Sequence, residues 1–240
     1  MGTGEIKLPT REPRGSRRRP DLPPPKVERI PPRSGLSRAE VMTIQRRRIL
    51  DGLAAALAYH GYEDTKITDI VELAGISRPT FYEFFEGKEQ CFAAAYEDGI
   101  ARLEEAIGAA AGAERDRAAR LSAGLAAGLD FLAANPSLAH LLLVESLAAA
   151  RPARLEHERS LTRLGQALRR PTGASPGGAA VSGETARLLA GGLVSHLSGR
   201  VLAGEAERLP ESRDLLLSYL LAPSLPAASS GAAGQRAARG

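Results

Sequence analysis

The sequence predicts an all-α chain, and three observations carry that expectation. Apolar residues recur at helical spacing behind a capping signal at Ser37, and two short helical segments flank a glycine turn at Gly75. From there to about residue 222, Pro and Gly signals separate further segments of helical pattern. The layout is a three-helix unit followed by a longer helical domain.

Residues 1–36 are rich in Pro and Arg, with Arg17-Arg18-Arg19-Pro20 and Pro23-Pro24-Pro25, and hold no apolar periodicity to bury, so they are expected to be a disordered basic tail. Ser37 and Glu40 form an S-x-x-E capping box that opens the first helix. In it Val41, Ile49, Leu53 and Leu57 share a face, Arg46, Arg47 and Arg48 lie toward the others as a solvated face, and Gly61 ends the helix. Segments 66–74 and 78–85 follow, joined by Ala74-Gly75-Ile76-Ser77, where Gly tolerates positive φ. Ser77 caps the second segment, and Pro79 falls in its first turn, where the missing N–H costs no helical bond. Further helices are expected over Lys88–Ala111, 114–134 (stopped by Asn135-Pro136), 137–150, 152–170, 184–204 and 211–222. Residues 171–182 read as a loop, and the Ala/Ser/Gly-rich stretch 226–240 as a second disordered tail. The expected domains are 37–86 and 87–225.

Composition bounds the function. With 43% hydrophobic residues the chain can bury a core, and its single cysteine, Cys91, excludes an intrachain disulfide framework and a cysteine-based zinc site. Cys91 itself reads as a small buried apolar residue. The absence of a long apolar run, and an N-terminus rich in Pro and Arg, lead us to expect a soluble cytoplasmic protein. The formal charge of +4 is unevenly placed: residues 1–36 carry +5, residues 37–92 carry −2 and the rest +1. Eight of the ten aromatic residues lie between Tyr59 and Tyr96, giving a small three-helix unit the apolar area it needs.

That unit has the layout of a helix-turn-helix, in which one helix braces a second so that the second can enter the DNA major groove. Ile67, Ile70, Val71, Ala74 and Ile76 supply an inner face that Phe81 and Phe85 close; Thr68, Arg78, Thr80, Tyr82 and Glu83 are left for the outside. Gly61-Tyr62, Thr65, Asp69-Ile70, Ala74-Gly75-Ile76-Ser77, Pro79-Thr80-Phe81-Tyr82, Phe85 and Lys88 together resemble the signature of the tetracycline-repressor (TetR) family, over residues 40–92. The resemblance implies a DNA-binding transcriptional regulator, probing double-stranded DNA with phosphate contacts from Thr80, Tyr82 and Lys88 and base contacts from Arg78, Glu83 and Thr68. Arg78 suits the O6/N7 pair of guanine, Glu83 can accept from cytosine N4, and Lys88 could share a phosphate with the helix it starts. Two positions depart from the pattern: Phe84 stands where His or Tyr is common, and Val71 where a small Ala is common.

The resemblance further implies a homodimer, a palindromic operator and an unknown small-molecule effector held by the C-terminal helices, with repression the commoner mode. Leu188, Leu189, Leu193, Leu197, Val201 and Leu215 to Leu221 are the expected dimer faces; Leu121, Leu125, Leu129, Leu141, Leu142, Val144 and Leu147 suggest an apolar interior. His60 is expected to meet the free carbonyls at Gly61. His140, His157 and His196 fall on three different helices, where two could meet in a pocket, and no metal site is expected from them. No nucleophile, acid–base pair or phosphate-cradling loop is legible, so no enzyme activity and no cofactor are expected. Two alternatives stay open: a non-specific DNA binder that uses the basic tail, and a helical small-molecule-binding protein whose helix-turn-helix is vestigial.

Overall fold

The structure, a computed structural model, describes residues 37–146, 151–169 and 182–221. The tails 1–36 and 226–240, the loop 171–181 and Leu147 lie outside the described residues. All described elements are helical: α1 (Arg38–Asp64), α2 (Ile67–Ala74), α3 (Arg78–Phe84), α4 (Lys88–Gly112), α5 (Arg117–Ala134), α6 (Pro136–His140) running on as a π-turn over Leu141–Glu145, α7 (Arg151–Arg169), α8 (Gly183–Leu202), a 3-10 turn over Ala206–Ser212, and α9 (Arg213–Leu221).

Local chemistry starts and stops these helices. At Ser37 the capping box is complete: the hydroxyl accepts from the Glu40 amide at 3.3 Å, and Glu40 Oε2 accepts from the Ser37 amide at 2.8 Å. Gly61, at φ 76° and ψ 167°, breaks α1, leaving a short last turn to Asp64. Gly75 takes the left-handed conformation (φ 64°) that closes α2, and Ser77 caps α3 by accepting from the Thr80 amide at 3.2 Å. Asp116 and Ser182 cap α5 and α8 in the same way.

Two elements differ from the sequence expectation. A continuous helix was expected over 137–150, but Leu141–Glu145 forms a π-turn. Its widened backbone is braced by hydroxyls: Ser146 Oγ donates to Leu142 O and Ser198 Oγ, on α8, donates to Leu143 O, each at 2.8 Å. The stretch before α9 forms a 3-10 turn that accommodates Pro210.

One apolar cluster runs through the chain, from Ile49, Leu53 and Leu57 of α1 through Ile70, Phe81, Phe85 and Phe92 to Leu129, Leu141, Leu142, Leu193 and Leu197. The three-helix head is therefore packed directly on the helices behind it. Arg47 adds an ionic tie from α1 to α4, 2.6 Å from Asp98, and Arg46 lies over the Phe85 ring, so these arginines are more engaged than a solvated face would be. Cys91 is fully buried, and burial pushes its thiol up to about 12, which leaves it protonated and unreactive. Among the described residues no single helix is long and apolar enough to cross a membrane.

The leucines of α8 and α9 divide between two jobs. Leu189, Leu193, Leu197, Val201, Leu216 and Leu220 are buried within the chain. Leu188 (74% exposed), Leu202 (55%) and Leu215 (63%), with Tyr219, remain on the surface. Each of the three C-terminal histidines has its own neighbour: His140 lies 3.5 Å from Glu145, His157 is 3.1 Å from Ser146 and 3.4 Å from Tyr96, and His196 is 3.0 Å from Ser212. Burial holds the His157 imidazole below its ordinary pKa, favouring the neutral ring.

Candidate nucleic-acid interface

α2 braces α3 through an inner face in which Ile70, Ala74, Phe81 and Phe85 are buried and Ile67, Val71, Ile76 and Phe84 are partly so. Phe81 is the keystone: fully buried, its ring sits 5.8 Å from that of Phe85 and edge-on to Tyr82 at 5.5 Å. With Phe81 turned in, the helical period turns Tyr82 and Glu83 away from the core, and Arg78, the first residue of α3, stands at the open start of the helix. All three are exposed, Tyr82 by 48%, and Thr68 is exposed on α2. Thr80 is half-buried, its hydroxyl 2.8 Å from that of Ser77, so part of its hydrogen-bonding capacity serves the helix cap. The result is a short helix whose polar row faces solvent while its apolar row fixes it to the core.

Lys88 sits differently from the other five. Its ammonium donates to Tyr62 O at 2.5 Å and Thr65 O at 2.9 Å and lies 4.4 Å from the Tyr62 ring centroid. These carbonyls belong to the stretch where Gly61 disrupts the α1 ladder, so two of the three ammonium donors serve the protein's own backbone. Sequence reasoning gave that task to His60, which instead lies exposed and edge-on to Tyr59. The usable signal was Gly61 itself: a helix broken before a buried Thr65 leaves carbonyls that a nearby cation must satisfy.

Residues 49–95 match the family of bacterial regulatory proteins, tetR family. The uncharacterized HTH-type transcriptional regulator YdgC of Bacillus subtilis (strain 168) is 35% identical over 60 residues, 25% of this chain and 31% of that protein. The HTH-type transcriptional repressor AcnR of Corynebacterium diphtheriae is 32% identical over 66 residues, 28% of this chain and 35% of that protein. The chain thus spans about a third of the length of these relatives. With solved structures the likeness is one of fold. The structure of the transcriptional regulator FadR from Bacillus subtilis in complex with stearoyl-CoA superposes with a TM-score of 0.60 at 16% identity, covering 72% of this chain and 96% of that one. The braced helix pair and the residues around it thus carry the match to the tetR family of bacterial regulatory proteins.

Proposed function

We propose that this protein is a homodimeric, cytoplasmic transcriptional regulator, a repressor released from a palindromic operator by a small-molecule effector. The observation that carries the reading is the exposed row Thr68, Arg78, Tyr82 and Glu83 on a helix pair held rigid by Phe81 and Phe85. Arg78 and Glu83 read base edges, Tyr82 and Thr80 hold phosphates, and Lys88 has one donor left for a phosphate. Residues 37–86 form the DNA-binding head and 87–225 the effector and dimerisation domain. The partner copy packs on Leu188, Leu202, Leu215 and Tyr219, the apolar side chains that α8 and α9 leave exposed. A chain that stays monomeric at micromolar concentration would sink the dimer. A relative named as a repressor and a fold neighbour holding stearoyl-CoA support repression and effector binding without naming this chain's ligand. The reading assigns no catalysis.

The deciding experiment is selection of genomic DNA fragments by the purified chain. We expect a short inverted repeat. Arg78→Ala should cost about 1–3 kcal/mol, roughly 5- to 150-fold in affinity, and relax the preference at one position in each half-site. Tyr82→Ala should weaken all sites alike, as loss of a phosphate contact does. Fragments bound without preference, or variants that bind as the parent does, would remove the reading.

The charge distribution favours a contribution from the N-terminal tail, since residues 37–92 carry −2 while residues 1–36 carry +5. Deleting residues 2–36 should lower operator affinity and flatten its salt dependence by about 0.9 in the logarithmic slope for each phosphate the tail neutralises. An unchanged slope and affinity would exclude the tail.

A further inference from the structure

The break at Gly61 leaves polar backbone groups between α1 and α2, and two charged side chains from behind the head take them. Lys88 donates to the carbonyls of Tyr62 and Thr65. From the opposite element, Glu145 Oε2 accepts from the Tyr62 amide at 2.8 Å, across a buried site. The carboxylate stands beside the break itself: a Cβ at Gly61 would lie 4.0 Å from Glu145 Oε1, in ordinary contact. That same oxygen is 3.5 Å from His140 Nδ1, and both side chains are buried. A buried carboxylate needs such partners, because without them desolvation would be prohibitive.

Glu145 is the last residue of the π-turn, and the π-turn accounts for its direction. Each residue advances an α-helix by about 100°, so an extra residue in one turn re-aims the residues at its far end relative to the helix before it. The turn is held from two other helices: Ser198 of α8 bonds Leu143 O, and His157 of α7 lies 3.1 Å from Ser146, which itself bonds Leu142 O. Three of the helices behind the head therefore converge on one turn that ends in a carboxylate grasping the head's backbone.

We infer that Glu145 is a positioning residue that fixes the orientation of the helix-turn-helix head on the helices behind it, through the Tyr62 amide that Gly61 exposes. The contact is made with backbone, so it constrains the link to α2 and α3 whatever side chains the DNA-facing surface carries. This goes beyond the DNA-binding reading and stands on the contact geometry alone; only its consequence for operator geometry rests on that reading.

The test uses the full chain. Spin labels at Glu72→Cys on α2 and Asp130→Cys on α5, both exposed positions, report the head-to-bundle distance; the labelled chain is diluted with unlabelled chain so that only intrachain pairs contribute, and buried Cys91 stays unlabelled. The parent should give one narrow distance distribution, Glu145→Ala a broadened or shifted one, and Glu145→Gln, which keeps an acceptor oxygen, a distribution like the parent's. Amide exchange covers the case of an Ala variant that fails to fold. In Glu145→Gln the Tyr62 amide should exchange up to about tenfold faster, its charge-assisted bond having become a neutral one, while Ile70 and Phe81 amides keep their rates. An unchanged distribution in a folded Ala variant overturns the inference. So does an unchanged Tyr62 rate, or equal acceleration of all three amides, which would mark general destabilisation. None of these readouts involves DNA, so failure of the DNA-binding reading leaves them interpretable.

Discussion

Phe81→Ala is expected to destabilise the protein by about 3–5 kcal/mol and lower its melting temperature by roughly 6–20 °C. The ring is fully buried, in contact range of Phe85 and Tyr82, and belongs to the cluster that joins the head to α5, α6 and α8. α3 is only seven residues long, too short to persist without tertiary packing. Its removal therefore leaves a cavity and also releases the helix that carries Arg78, Tyr82 and Glu83. The neighbouring Tyr82→Ala makes the comparison sharp: Tyr82 is 48% exposed, so its loss should change stability by no more than about 1 kcal/mol while weakening DNA binding. Denaturant melts of the two variants, run beside DNA titrations, separate core from surface within one dipeptide. Equal stability losses would mean that the division of α3 into an inner and an outer row is wrong.

That division was legible in the sequence because it rests on local rules. Gly75 closes α2, Ser77 and Pro79 open α3, and once the start of a helix is fixed, its period determines which of residues 78–85 face in. The capping box at Ser37 and the stop at Gly61 were legible for the same reason. The features that escaped have tertiary causes. The π-turn at Leu141–Glu145 is stabilised by hydroxyls of Ser146 and Ser198 and points Glu145 at an amide far away in sequence, and no local pattern announces any of these. The sequence shows Lys88 beside a helix start, suited to a phosphate, yet its reach to Tyr62 O and Thr65 O depends on how α4 crosses the end of α1. The apolar runs of α8 and α9 showed that these helices are buried on some face, but periodicity alone could not divide Leu189 and Leu193, which pack inside, from Leu188 and Leu202, which do not.

Gly52 is the second position where a large effect is expected, and its sign runs against helix propensity. A glycine inside a helix is normally a cost of about 0.5–1 kcal/mol relative to Ala, so Gly→Ala should stabilise α1. At Gly52, however, a Cβ would stand 2.9 Å from Ala74 Cβ, from Ala74 N and from Ile70 O. Two of those three atoms are backbone of α2 and cannot rotate away, so α2 itself must shift. Overpacking of this kind typically costs 1–3 kcal/mol, enough to outweigh the propensity gain, and Gly52→Val should cost more. Because α2 braces α3, operator affinity should fall further than stability alone would account for. Gly108, inside α4 one turn before its end and with nothing within 4 Å of its would-be Cβ, is the control: Gly108→Ala should raise stability by about 0.5–1 kcal/mol. Urea denaturation of the two Ala variants should therefore move in opposite directions. If Gly52→Ala stabilised the protein as Gly108→Ala does, α1 and α2 would have room to part, and the head could not be the rigid platform that DNA recognition by α3 requires.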